Sequence, residues 1–190
     1  MTLQLSGMLK SQGWKVERES GTAYFYNHAP WVAPLAYLHI LFKGATKRAL
    51  SDNSALLRLP KYWLEFLTVQ NGAILFSGAF SIYGVKETGA LLNRRDVFQR
   101  GPFLIESENK SWQPKDRQRE IVIGGYSYDG TLAVLDRDKG TVSAVSRKNH
   151  NLLMSWAGPD EWLTEEMDRL SKLFDKSGKI TVGGERTLPG

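Results

Sequence analysis

The stretch 121–145 constrains the fold of this chain more than any other. Three short apolar runs, 121–123, 131–135 and 141–145, are separated by Tyr128-Asp129-Gly130 and by Asp136-Arg137-Asp138-Lys139-Gly140. Asp closes such turns by accepting backbone N–H bonds on its side chain, and Gly supplies the left-handed conformation they need. Connections this short join antiparallel neighbours, because a parallel return needs a crossover of about a dozen residues. The pattern predicts a three-stranded antiparallel meander.

Two proline-led segments predict the helices that cover it. Leu59-Pro60 puts proline in a first turn, where its missing N–H costs nothing. Tyr62, Trp63, Phe66 and Leu67 follow at helical spacing, and Asn71-Gly72 reads as the helix end. Gly158-Pro159-Asp160-Glu161 opens the second helix. There Leu163, Met167, Leu170 and Phe174 form one apolar stripe, and Glu165, Glu166, Asp168 and Lys172 are expected to face water. Residues 3–12 predict a short helix on Leu3, Leu5, Met8 and Leu9. Residues 14–18 and 22–26 read as a hairpin about Ser20-Gly21.

The apolar run 31–42 reads as a buried helix over 35–42 with Pro34 in its first turn, and 43–54 reads as a loop. Residues 73–76 and 79–83 are short apolar runs about Ser77-Gly78. Within the polar stretch 85–118, Val97, Phe98, Phe103, Leu104 and Ile105 are expected to reach the core. Residues 180–182 offer a short edge strand. The expected class is α+β: an antiparallel or mixed, curved sheet packed by an N-proximal and a C-terminal helix.

Composition narrows the function. A chain of 190 residues with 42% hydrophobic content is enough for one domain over 1–190. With no cysteine, disulfides, thiolate zinc sites and cysteine nucleophiles are excluded. His28, His39 and His150 form no ligand-spaced pair; His39 reads as a core residue, His28 as a loop residue and His150 as part of a turn. The first residues lack an export signal, and the run 31–42 is shorter than the ~20 residues that span a bilayer. A cytoplasmic protein without a membrane role is expected.

The net charge of +5 is uneven: 7 basic and 3 acidic groups in 1–60 give +4, whereas 9 and 10 in 121–190 give −1. Lys43, Lys47 and Arg48, with Arg94, Arg95 and Arg100, are too sparse for the stripe of a nucleic-acid binder and read as a solvated face. The catalytic templates fail one by one. Gly178-Lys179 lacks the remainder of a phosphate loop. Gly124-Gly125 leads into a turn, not the helix of a dinucleotide fold. Gly125-Tyr126-Ser127-Tyr128 lacks the second glycine of a nucleophile elbow. Asp136, Asp138 and Gly140 open like a calcium loop that has no glutamate at its twelfth position. No catalytic residue, cofactor or metal is expected.

The segment Leu59-Pro60-Lys61-Tyr62-Trp63-Leu64-Glu65-Phe66-Leu67, closed by Asn71-Gly72, resembles the opening signature of the SUKH superfamily of fungal cell-wall assembly regulators and bacterial immunity proteins. Ile82-Tyr83-Gly84 matches the family's next short strand. Ile123-Gly124, then Asp129, Leu132, Val134, Leu135, Asp136, Gly140 and Val142, match its later block, and Asp160-Glu161-Trp162-Leu163 match its acidic closing helix. The resemblance covers about 55–175, leaving 1–54 as an N-terminal addition and 176–190 as a tail. The chain departs from the pattern at Ala73, which stands for a second glycine, at Asp129, which precedes its glycine, and in the length of the N-terminal addition.

The resemblance implies a SUKH-like fold and a non-catalytic module that binds a protein, and a monomer is expected. Bacterial members neutralise toxins, often nucleases. Trp63, Phe66, Tyr83 and Trp162 are expected in the core. The partner surface is expected on exposed turns, at Tyr126, Tyr128, Asp129, Asp136 and Asp138, with the loop from Arg94 to Gly101. The alternative is an adaptor or regulatory protein that binds an acidic protein or nucleic acid through the basic first third, which steep salt dependence would reveal.

Overall fold

Nine strands pair in chain order into one antiparallel sheet. The computed structural model describes residues 4–52, 56, 59–87, 101–112, 119–175 and 177–190, and every count below refers to these. The strands are β1 (Val16–Glu19), β2 (Ala23–His28), β3 (Tyr37–Lys43), β4 (Gln70–Leu75), β5 (Phe80–Ile82), β6 (Glu120–Tyr126), β7 (Leu132–Asp136), β8 (Val142–Val145) and β9 (Leu152–Trp156). The helices are α1 (Leu5–Ser11), α2 (Lys47–Ser51), α3 (Lys61–Val69), α4 (Ile105–Ser111) and α5 (Pro159–Ser171). The α+β class and the antiparallel alternative are what the structure has. Because each strand reverses on the one before, the connections alternate between two ends of the sheet. The β2–β3, β4–β5, β6–β7 and β8–β9 connections share one end, and the other four share the opposite end.

One core joins the helices to the sheet. Leu5 and Leu9 of α1, Trp63, Phe66 and Leu67 of α3, Ile105 of α4, and Trp162, Leu163, Met167 and Leu170 of α5 are all buried in it. The rings of Trp63 and Trp162 lie 6.3 Å apart, and Trp162 meets Phe80 edge-on at 5.3 Å. A smaller cluster holds Ala23, Phe25, Ile40 and Phe42. Phe25, Ile40 and Phe42 feed the smaller cluster while their strand neighbours Tyr26 and Leu41 feed the larger, as the period of two along a strand allows.

That double burial explains the largest correction to the sequence reading. Residues 35–42 do not form a helix. Tyr37–Lys43 is strand β3, hydrogen-bonded between β2 and β4. Leu38 through Phe42 are buried, so the run shows no polar alternation and cannot be told from a buried helix by period. The segment 43–54, expected as a loop, contains α2, whose first turn is capped by Thr46 Oγ1 accepting from Ala49 N.

Asn71-Gly72 also departs from expectation. Helix α3 ends at Val69 and the chain passes straight into β4, with Asn71 and Gly72 inside the strand. The Asn71 side chain accepts from Val85 N at 2.8 Å and donates to Val85 O at 3.0 Å. Gly72 has φ +81°, and a Cβ there would lie 2.6 Å from Ile82 O. Strand β6 likewise runs on through Gly124-Gly125, where the apolar run 121–123 had marked its end. The expected meander is present and is lengthened by β9, whose exposed Leu152 and Leu153 hide the alternation that marks a strand. Of the residues expected to reach the core from 85–118, Ile105 is buried, Leu104 is half-buried and Phe103 is exposed; Val97 and Phe98 lie outside the described residues. Ile180 forms a single bridge with Phe174 in place of an edge strand.

Candidate functional site

The five residues predicted to form a partner surface do not share one. Tyr126 belongs to the core. It is 2% exposed, and its hydroxyl oxygen accepts from Trp162 Nε1 at 3.1 Å. Burial, reinforced by the Glu166 carboxylate, holds its pKa well above the ordinary tyrosine value. Tyr128 and Asp129 lie in the β6–β7 turn, whereas Asp136 and Asp138 lie at the other end of β7. A five-residue strand separates the two turns by about 17 Å. The three acids also have local work. Asp129 Oδ1 accepts from Thr131 N at 2.8 Å, and Asp136 Oδ1 accepts from Asp138 N at 2.9 Å and Lys139 N at 3.0 Å. Asp138 pairs with Arg119 at 3.2 Å. Tyr128 is exposed and lies against Gly184. Within the loop from Arg94 to Gly101, only Gly101 is a described residue, so Arg94, Arg95 and Arg100 lie outside them.

Glu166 faces the core, not water as its place among charged neighbours suggests. At 1% exposure it takes a fork from Arg169, with Nε to Oε1 at 3.0 Å and Nη2 to Oε2 at 2.6 Å. It also hydrogen-bonds the Tyr126 hydroxyl. Arg169 donates onward to Arg186 O and Thr187 O, both at 2.9 Å. The relay therefore runs from Trp162 through Tyr126, Glu166 and Arg169 to the backbone of 186–187. Its ionised members are matched one to one, which is what lets a carboxylate remain in the core.

The histidines have structural surroundings too. His39 is buried between Trp14 and Phe76, and its Nδ1 accepts from Phe76 N at 3.2 Å. That bond leaves the ring proton on Nε2 in the neutral form. Burial lowers the His39 pKa to about 3. His28 Nε2 lies 2.9 Å from Pro34 O, and His150 packs edge-on against Trp112. Among the described residues no three His, Asp or Glu side chains gather as metal ligands, and no helix is long and apolar enough to cross a membrane.

The sequence reading missed an exposed apolar segment. Residues 30–35, Pro-Trp-Val-Ala-Pro-Leu, are all exposed, with Trp31 at 42%, Val32 at 55% and Leu35 at 58%. The β2–β3 connection is nevertheless tightly bonded: Ala29 N to Ala36 O, Val32 N to Ala29 O and Ala36 N to Ala33 O, at 2.9–3.0 Å. The two prolines were the available signal. Neither can donate in a ladder, so they separate 29–36 from the strand that follows. At the same end, Gly178 packs on Leu38 and Gly184 on Tyr128, so the C-terminal segment crosses from β3 towards the β6–β7 turn. It carries the further exposed apolar side chains Ile180 and Val182.

No protein-family model, curated protein or solved structure shows significant similarity to this chain.

Proposed function

We propose that this chain is a SUKH-type, non-catalytic module that binds and neutralises a protein toxin, and that it does so through the exposed apolar β2–β3 loop rather than through its acidic turn residues. The observation that carries the reading is the ordered, exposed loop 30–35. A contiguous exposed apolar patch costs solubility, and interaction sites are where proteins keep one. This one presents an indole and two branched aliphatic side chains on a backbone already fixed by hydrogen bonds, so little entropy remains to be lost on docking.

The family part of the reading rests on how the four sequence blocks fit together. Asn71 clamps Val85, and Gly72 lies under Ile82 and Gly84. Gly125 meets the Tyr83 hydroxyl, and Gly124 meets the Trp162 ring. Residues far apart in the chain are thus explained by mutual contact, as a shared fold signature would be. Their chemistry serves architecture, and the partner surface lies elsewhere.

The test uses a toxin whose gene, if one is found, lies beside the gene for this chain. Trp31→Ser and Leu35→Ser should each weaken binding by at least tenfold, as removal of an interface anchor does, and should abolish protection on co-expression. A triple substitution at Asp129, Asp136 and Asp138 that abolishes binding in a folded protein, with Trp31→Ser binding normally, would overturn the choice of surface. Absence of binding by the unmodified protein would overturn the toxin reading. A steep salt dependence of binding to acidic polymers would then favour the adaptor alternative.

A further inference from the structure

A cavity of about 590 Å³ opens at the end of the sheet opposite the apolar loop. Three clamps build it. The Asn71 side chain holds the chain at Val85. Gly84 N donates to Phe103 O and Ile105 N donates to Gly84 O, which draws 101–104 alongside 84–87. Gly44 sits so close to Thr68 O that no side chain fits there, which pulls 44–46 inward. The floor is apolar, made of Phe42, Val85, Pro102 and Leu104, and the cationic groups at the cavity are Lys43 and Lys86. This size and lining fall within the usual range for small-molecule sites.

The charges at the cavity separate into committed and uncommitted. Lys43 is paired with Glu19 at 2.6 Å and lies over the Tyr24 ring. Glu87 accepts from Thr46 N at 2.8 Å and from Thr46 Oγ1 at 3.0 Å, so both of its oxygens are occupied. Lys86 is exposed, and among the described residues no carboxylate pairs with it. We infer that this cavity binds a small organic anion, whose apolar body lies on Phe42, Val85 and Leu104 and whose single negative group meets Lys86. The site is independent of the apolar loop and of the toxin reading.

Two dyes of nearly the same shape isolate the two halves of the claim. 1-Anilinonaphthalene-8-sulfonate carries the negative group, and N-phenyl-1-naphthylamine lacks it. Two glycines supply the block: Gly21 and Gly101 line the cavity, neither has a left-handed φ, and a Cβ at either meets nothing within 4 Å. Gly21→Leu and Gly101→Trp, on different walls, should fold with an unchanged melting midpoint and weaken both dyes by tenfold or more. Lys86→Ala should weaken the sulfonate dye about tenfold, the loss expected for one charged hydrogen bond, and leave the neutral dye unchanged. The inference is overturned if the sulfonate dye does not bind with one-to-one stoichiometry. It is overturned equally if binding survives both glycine variants in folded protein, or if Lys86→Ala changes the two dyes alike.

Discussion

The β7–β8 turn and the β2–β3 loop do the same topological job and present opposite surfaces. The turn is acidic, and its acids are already engaged: Asp136 closes it by accepting from two backbone N–H groups, and Asp138 faces Arg119. The loop is apolar, and three backbone hydrogen bonds hold it while Trp31, Val32 and Leu35 stay exposed. A charge in a turn is therefore a poor guide to what is available for a partner. Availability depends on what remains after the local structure has satisfied itself. Asp and Gly recur in turns for reasons of closure, whereas an exposed Trp between two prolines has no such local use.

The difference can be broken or sharpened by substitution. The largest effect belongs to a group wholly committed inside. Arg169→Ala should cost about 3–5 kcal/mol, because it leaves the Glu166 carboxylate buried and unmatched and frees 186–187. Urea denaturation measures this, and a loss below about 1 kcal/mol would mean that Glu166 reaches water. Next comes acid. In the unfolded chain His39 takes up its proton near pH 6.5, whereas in the fold it does so only near pH 3. The unfolded state binds more protons between those values, so stability is complete above about pH 6.5. Below that it falls by up to about 1.4 kcal/mol per pH unit. Denaturation midpoints at pH 7 and pH 5 should differ accordingly, and His39→Gln should reduce the difference. Equal falls in both proteins would assign the acid sensitivity to other groups.

The smallest pair tests the contrast directly. Asp136→Ala should lower stability by about 1–2 kcal/mol, since two backbone donors lose their acceptor. Trp31→Ser should change it by no more than about 0.5 kcal/mol. Thermal melts that reverse this order would show that the loop is part of the core and the turn acid is free.

Much of the scaffold was legible in the sequence, because its punctuation is local. Pro60 and Pro159 start helices for reasons confined to one turn, and the 128–130 and 136–140 turns close without help from elsewhere. What was hidden depends on distant partners. β3 is buried on both faces, so Leu38 through Phe42 lack the alternation that betrays a strand. Asn71-Gly72 carries the chemistry of a helix end but answers to Val85 and Ile82 across the sheet. Glu166 sits among solvent-facing acids, and its burial depends on Arg169 one turn on and a backbone met only in three dimensions. The candidate surface failed for the same reason. Tyr126 and Tyr128 are two residues apart, yet one faces Trp162 in the core and the other faces water.

The strict chain order of the nine strands has a kinetic consequence. Each strand pairs with the one made just before it, so during synthesis every new strand finds its template already outside the ribosome. Contacts between sequence neighbours keep loop-closure entropy low, and folding speed tracks that locality. The exceptions are the two long excursions, from β3 to β4 and from β5 to β6, where the chain must close a wide loop before pairing resumes. Assembly should thus advance from the β1 edge in three bursts separated by two pauses. The last helix, α5, then seals Trp162 against strands that have been waiting for it.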